Sequence, residues 1–130
     1  MSYSGHLDHA NAELTRGRIL AESDEIDGAV QHACLTAEHA LKAVLASEDE
    51  LVPTGSKGHD LNFLASQASM DVPFETVLIT LDGAYNQTRY PDTPPHGIRN
   101  VESLLDDVES LVRYAEENIS TSQSSLVDWF

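Results

Sequence analysis

The sequence predicts an all-α protein, an antiparallel up-and-down bundle of four main helices and one short helix. Apolar residues recur at helical spacing along almost the whole chain, and no stretch alternates with the period of a β-strand. Proline and glycine are concentrated in a few breaks between these apolar stripes, where helices have to end. The breaks are short, which favours antiparallel neighbours, and 130 residues are enough to bury one core.

The first two helices are predicted over Leu7–Glu22 and Glu25–Ser47. Between them, Ser23 or Asp24 has the short polar side chain that can cap the start of the next helix. The second helix has the strongest apolar stripe. Many of its residues are alanines, which favour helix formation and let a neighbouring helix come close.

A loop and two further helices are predicted in the middle of the chain. Leu51–Gly58 contains one proline and two glycines, which indicates a loop. A short third helix opens at His59-Asp60, and Asp60 can accept backbone N–H bonds as its cap. The fourth helix begins near Pro73, which is tolerated in a first turn, and its apolar stripe reaches Tyr85.

The fifth helix follows a proline-rich break and begins after Gly97. Its apolar stripe extends to Ala115, and its opposite face is acidic. Ser120–Ser125 is polar and expected to be mobile, whereas Leu126–Phe130 is apolar and either packs back on the bundle or docks onto another chain. The sequence therefore predicts one helical domain over residues 1–119 and a tail over residues 120–130.

The acidic composition limits the possible partners. A net charge of -15 and a pI of about 4.4 would repel nucleic acid and anionic membranes in ordinary cytosol. Either the protein seeks a basic partner, or it has the carboxylate-rich surface of a halophile; the even spread of acids and the few lysines favour a salt-loving prokaryote, archaea included. In molar salt the Debye length falls to about 3 Å, so a local basic site could still bind an anion.

The expected compartment is the cytoplasm. The single Cys34 excludes an intrachain disulfide framework and suits a reducing environment. The first residues lack the basic and apolar regions of a signal peptide, and no apolar run approaches the length that spans a bilayer. We therefore expect no contact with a membrane.

The segment Tyr85–His96 has the most informative arrangement of polar residues. Pro91 ends the fourth helix and pushes Tyr90 out of the helical region, so Arg89 lies near the last turn. Asp92 and His96 follow within a few residues. Two interpretations remain open: a site that holds phosphate, or a helix end that is stabilised by a salt bridge.

Two further polar positions lie outside this segment. Lys42 follows Glu38 at i,i+4, which predicts an intrahelical pair. His59 could belong to the cap of the third helix, or it could bind an anion beside the helix N-terminus.

No metal and no cofactor are expected. His6 and His9 share a helix face, as do His32 and His39, but a metal site needs three or four ligands with a supporting shell. No histidine has a glutamate three positions before it, as a di-iron bundle would require.

Three segments, Ala37–Leu45, Gly58–Leu61 and Tyr85–Asp92, together resemble the HEPN family (higher eukaryotes and prokaryotes nucleotide-binding domain). Their order and spacing are similar to those of its small stand-alone prokaryotic and archaeal members. The resemblance implies an antiparallel helical bundle that forms homodimers. Many members are metal-independent ribonucleases, often toxins encoded beside a minimal nucleotidyltransferase.

In that family an Arg and a His a few residues apart form the nuclease site, doubled across the dimer. Arg89 and His96 have six residues between them, at the upper limit of the family spacing. Arginine can bind a phosphate through two hydrogen bonds, and histidine can move a proton near neutral pH. Two proline breaks separate the pair here, however, and Ile98 stands where adenylylated toxins have a tyrosine.

The Arg-Tyr-Pro-Asp form of the motif resembles the family members for which nucleotide or partner binding is proposed. We therefore predict that a dimer cleft binds nucleotide or RNA phosphate and that the protein works with a nucleotidyltransferase partner. The predicted binding residues are Arg89, Tyr90, Asp92, Lys42 and His59. Two alternatives remain: an active metal-independent endoribonuclease with Arg89 and His96 as catalytic residues, or a non-catalytic helical dimerisation module.

Overall fold

A computed structural model of the chain describes residues 2–48, 51–68, 74, 77–81 and 101–127. Its elements are α1 (Tyr3–Glu22), α2 (Ile26–Ser47), a 3₁₀ turn (Gly55–His59), α3 (Leu61–Gln67), the helical residues 77–81 (α4) and α5 (Val101–Val127). Within these ranges there is no β-strand. The predicted all-α class is therefore confirmed.

Helix α1 begins earlier than predicted, at Tyr3 rather than Leu7. Ser2 is the reason, because its Oγ accepts the N–H of Gly5 at 3.2 Å and caps the first turn. The predicted cap of α2 is wrong. The residue at that position is Glu25, whose side chain makes no capping bond, whereas Ser23 ends α1.

Helices α1 and α2 form an antiparallel hairpin. His6 contacts His39 near one end, and Glu13 contacts His32 nearer the connection. Gly17 lies close to α2, since a Cβ placed on it would be 3.4 Å from the carbonyl oxygen of Ala29. Small residues at this crossing let the two backbones approach.

Helix α5 packs against both members of the hairpin and is antiparallel to α1. Arg18 of α1 donates to Asp106 of α5 at 2.9 Å, and Asn11 donates to Glu116 at 3.2 Å, so the contacts run in opposite directions along the two helices. Of the elements that the structure describes, helix α2 is the most buried, with apolar residues excluded from water on most of its sides. The complete up-and-down order of the bundle stays a prediction.

The shorter elements cover another side of α2. Helix α3 packs on α2, with Leu64 fully buried, and Asp60 caps α3 by accepting the N–H of Phe63 at 3.0 Å. The predicted capping role of Asp60 is therefore confirmed. The Cys34 thiol donates to the carbonyl oxygen of Leu81 at 3.4 Å, which joins α2 to α4.

The end of the chain differs from the expectation of a mobile polar segment. Helix α5 continues through Ser120–Ser125 to Val127, and this stretch contains no glycine or proline that would stop it. The boundary between a domain and a tail near residue 119 stays a prediction. Among the described helices, none has the length and apolar content that crossing a bilayer requires.

Candidate functional site

Four of the six predicted site residues, Arg89, Tyr90, Asp92 and His96, lie outside the described residues. Their roles stay predictions. The other two, Lys42 and His59, are described, and the candidate site is built from them.

Helix α2 places Lys42 one turn after Glu38. Lys42 Nζ lies 3.1 Å from Glu38 Oε2, so the predicted intrahelical pair is confirmed. The pair is not an ordinary surface pair, because the two side chains are only 13% and 8% exposed. Burial makes each charge depend on the other, since an unpaired charge at such a position is costly.

The 3₁₀ turn brings His59 to the same carboxylate. His59 Nδ1 lies 2.7 Å from Glu38 Oε1, and its side chain is 56% exposed. Gly58 permits this approach, because a Cβ at that position would be 2.8 Å from the carbonyl oxygen of Pro53 and 3.6 Å from Lys42 Nζ. Glu38, Lys42 and His59 are called the Glu38 cluster below.

The Glu38 cluster unites two residues that the sequence singled out separately. The spacing of Glu38 and Lys42 predicted their contact with each other, but it could not show that His59, 21 positions away, shares the carboxylate. The available signal was an acid one turn before a lysine on a largely apolar helix. Such a buried acid needs partners, and the turn supplies the second one.

The cluster offers N–H donors despite the acidic composition of the chain. When His59 is neutral, the charges of Glu38 and Lys42 offset each other; when it is protonated, the cluster carries one positive charge. The ammonium of Lys42 has three N–H donors, and the described residues contribute one acceptor, Glu38. The remaining N–H donors of Lys42 suit an anion that approaches the cluster beside His59.

A pair of imidazoles lies beside the cluster, between α1 and α2. His6 Nδ1 and His39 Nδ1 are 3.1 Å apart, and the ring of His9 stacks on that of His39 with centroids 5.0 Å apart. Burial, with smaller contributions from His39 and Lys42, lowers the pKa of His6 to about 4. Burial also lowers the pKa of His39. Both rings are therefore neutral near pH 7, so one donates and the other accepts.

A second buried glutamate stands farther along the hairpin. Glu13 accepts from Arg16 at 2.6 Å and contacts Nδ1 of His32, which joins α1 to α2. Glu13, Arg16 and His32 are called the Glu13 cluster below. Over the described part of the chain, no group of three or more His, Cys, Asp or Glu side chains is arranged to hold a metal ion.

A comparison with family models finds one that is described as the HEPN domain and matches residues 3–119. The matched range includes the three segments on which the resemblance rests, and it includes both clusters. Neither the curated proteins nor the solved structures contain a match to the chain.

Proposed function

The chain belongs to the HEPN domain family, and we propose that it binds phosphate groups of a nucleotide or of RNA in a cleft between two copies. The observation that supports this most is the convergence of Lys42 and His59 on Glu38. The two residues come from two different family segments, and together they place the N–H donors of Lys42 beside the exposed imidazole of His59. Phosphate oxygens are acceptors that such donors match.

Arg89 is the main phosphate-binding residue in this proposal. Its guanidinium is always charged and has a planar fork that matches two phosphate oxygens. Tyr90 and Asp92 shape the site, the first with a ring on which a base can stack and the second by accepting from Arg89 or from a ribose. Lys42 and His59 extend the same binding surface.

The proposed protein partner is a minimal nucleotidyltransferase, in a pair that resembles a toxin–antitoxin system. Support comes from the family resemblance of the three segments and from the acidic surface, which suits a partner with basic regions. A nucleotidyltransferase reading frame beside this gene would support the proposal, and its absence would count against it.

A second candidate function is metal-independent cleavage of RNA, which the spacing of Arg89 and His96 favours. Here His96 takes the proton from a ribose 2′-hydroxyl, and the resulting oxygen attacks the adjacent phosphorus. The bond from phosphorus to the 5′-oxygen of the next nucleotide breaks, and that oxygen takes a proton from the protonated His96 or from water. Arg89 stabilises the charge on the phosphate in the transition state. The products are a 2′,3′-cyclic phosphate and a 5′-hydroxyl.

The test combines binding, cleavage and oligomeric state in one buffer with potassium chloride and EDTA. A fluorescently labelled single-stranded RNA is mixed with the wild type, Arg89→Ala, His96→Ala and the control Arg113→Ala. Arg113 is an exposed arginine of α5 that pairs with Glu116, so its loss should change nothing. Binding that is lost in Arg89→Ala alone supports the binding function.

The remaining outcomes separate the alternatives. Cleavage by the wild type that disappears in both Arg89→Ala and His96→Ala supports the nuclease. A wild type that neither binds nor cleaves, although it is folded and dimeric by sedimentation, contradicts both functions and favours an interaction module. A wild type that binds RNA as a monomer contradicts the dimer cleft.

A further inference from the structure

The orientation of the His59 ring follows from its contact with Glu38. An ionised carboxylate has only acceptor atoms, so the proton on the facing nitrogen, His59 Nδ1, points to Glu38 Oε1 at 2.7 Å. In the neutral ring the other nitrogen, Nε2, then has a lone pair and no proton. The contact therefore selects one tautomer of His59.

The exposure of the two side chains shows which of them can meet a ligand. Glu38 is 8% exposed, whereas His59 is 56% exposed. The carboxylate thus holds the ring from the protein side and leaves Nε2 on the accessible side. Lys42, bonded to the other oxygen of Glu38, places a cation within the same cluster. Proteins often fix a histidine in this way for hydrogen bonding or proton transfer. A buried carboxylate accepts from one ring nitrogen, and the other ring nitrogen is left for the ligand.

An acceptor nitrogen beside a cation matches a ribose hydroxyl that lies next to a phosphate. The phosphate oxygens are acceptors and would contact Lys42, but they cannot donate to His59 Nε2. A ribose hydroxyl can donate, and in RNA the 2′-hydroxyl lies next to the phosphate on the 3′-oxygen of the same ribose. A 2′-deoxyribonucleotide lacks the 2′-hydroxyl, which is the group by which proteins distinguish RNA from DNA.

We infer that Glu38 is a positioning residue that presents His59 Nε2 as an acceptor for a ribose 2′-hydroxyl, beside the ammonium of Lys42. This inference rests on the proposed binding of nucleotide or RNA phosphate and adds the residues that would distinguish ribose from 2′-deoxyribose. The Glu13 cluster does not share this role. Its histidine, His32, is only 28% exposed, and it lies between two helices rather than on a turn.

The test measures the preference for ribose directly. Fluorescence anisotropy compares oligouridylate with oligodeoxyuridylate of the same length, label and salt, so that phosphate charge and bases are matched. The wild type should bind the ribose form about tenfold more tightly, the size of one well-placed hydrogen bond. His59→Gln and Glu38→Gln should bring the ratio close to one, because each weakens binding of the ribose form much more than binding of the deoxy form.

The control variant is Glu13→Gln, which removes the carboxylate of the Glu13 cluster and should keep the wild-type ratio. A ratio near one for the wild type, with both oligomers bound, overturns the ribose inference but leaves the proposed phosphate binding intact. A ratio that stays near ten in His59→Gln also overturns it. Failure of the wild type to bind either oligomer contradicts the proposed function itself.

Nitrogen NMR of the imidazole gives a readout that does not depend on a ligand or on folding of the Glu38 variant. For the neutral form of the ring in the wild type, the spectrum should show the single proton of His59 on Nδ1. A proton on Nε2 would overturn the inference.

Discussion

The Glu38 cluster and the Glu13 cluster use the same three kinds of side chain in opposite ways. Each has a buried glutamate that accepts from a cation on its own helix and from Nδ1 of a histidine on another element. In the Glu13 cluster the cation, Arg16, is 57% exposed and the histidine is 28% exposed. In the Glu38 cluster the cation is 13% exposed and the histidine is 56% exposed.

This reversal distinguishes a contact that only stabilises the fold from a contact that leaves a histidine accessible to a ligand. The Glu13 cluster lies between two long packed helices, so its histidine is held on both sides. The Glu38 cluster joins a helix to a short 3₁₀ turn, and its histidine is covered on one side only. The Glu13 cluster therefore stabilises the packing of α1 on α2, whereas the Glu38 cluster leaves an imidazole exposed to solvent.

The largest expected effect is the loss of stability when the carboxylate of either cluster is removed. Glu38→Ala leaves the ammonium of Lys42 at a mostly buried position without its partner, which should lower the free energy of unfolding by about 3 kcal/mol. Glu13→Ala leaves an exposed Arg16, which water can solvate, so its cost should be about 1 kcal/mol. Urea denaturation of both variants at one salt concentration and pH 7 measures the two losses.

The double variant Glu38→Ala with Lys42→Met supplies the control for this first prediction. It removes the stranded charge, so it should recover part of the stability that Glu38→Ala loses. Equal losses for Glu38→Ala and Glu13→Ala, or no recovery in the double variant, would contradict the difference between the clusters.

A medium effect is expected from the glycine that lets the turn approach α2. In Gly58→Ala the new methyl would be 2.8 Å from the carbonyl oxygen of Pro53, so the backbone has to shift, at a cost of about 1 to 2 kcal/mol. The shift moves His59 away from Glu38, so the preference for ribose should weaken as well. Thermal unfolding and the oligouridylate comparison measure the two consequences.

Gly28→Ala is the matched control in the hairpin. Its nearest neighbour would be Leu20 Cδ1 at 3.1 Å, the end of a flexible side chain that can turn aside. Alanine also gains up to about 1 kcal/mol over glycine inside a helix. We therefore expect Gly28→Ala to be neutral or stabilising; a loss as large as that of Gly58→Ala would show that the close approach at Gly58 has no special role.

These clusters also mark what the sequence could and could not predict. Helical spacing predicted α2 to within one residue at its start, because its apolar stripe and alanines agree with each other. Local spacing likewise predicted the pair of Glu38 with Lys42 and the cap formed by Asp60. Each of these depends on residues within one helical turn, which a single sequence displays.

The spacing of residues along the sequence could not predict contacts between distant segments. The approach of His59 to Glu38 depends on how the turn folds back on α2, and that path is set by packing around Gly58. The pair of His6 with His39, 33 positions apart, depends in the same way on the register of the hairpin. Arg89 and His96 lie outside the described residues, so their geometry stays a prediction.

The smallest expected effect is a pH dependence that comes from the imidazole pair beside the Glu38 cluster. Burial is the main reason that the pKa of His6 falls to about 4 in the folded protein, against 6.5 when it is unfolded. Between these values the unfolded chain binds the proton and the folded one does not. The contribution of His6 to the free energy of unfolding should therefore be constant above about pH 6.5. It should fall as the pH decreases towards 4, by about 1 kcal/mol at pH 5.5 after solvent screening.

His6→Gln provides the control, because it cannot titrate while the other histidines and the acids remain. Its loss of stability between pH 7 and pH 5.5 should be smaller than that of the wild type, and an equal loss would contradict the assignment to His6. Proton NMR titration of His39 then separates the two clusters. Glu38 raises the pKa of His39 more than Glu13 does, although burial lowers it overall. Glu38→Gln should therefore lower that pKa further than Glu13→Gln does, because Glu38 lies next to His39 in the chain.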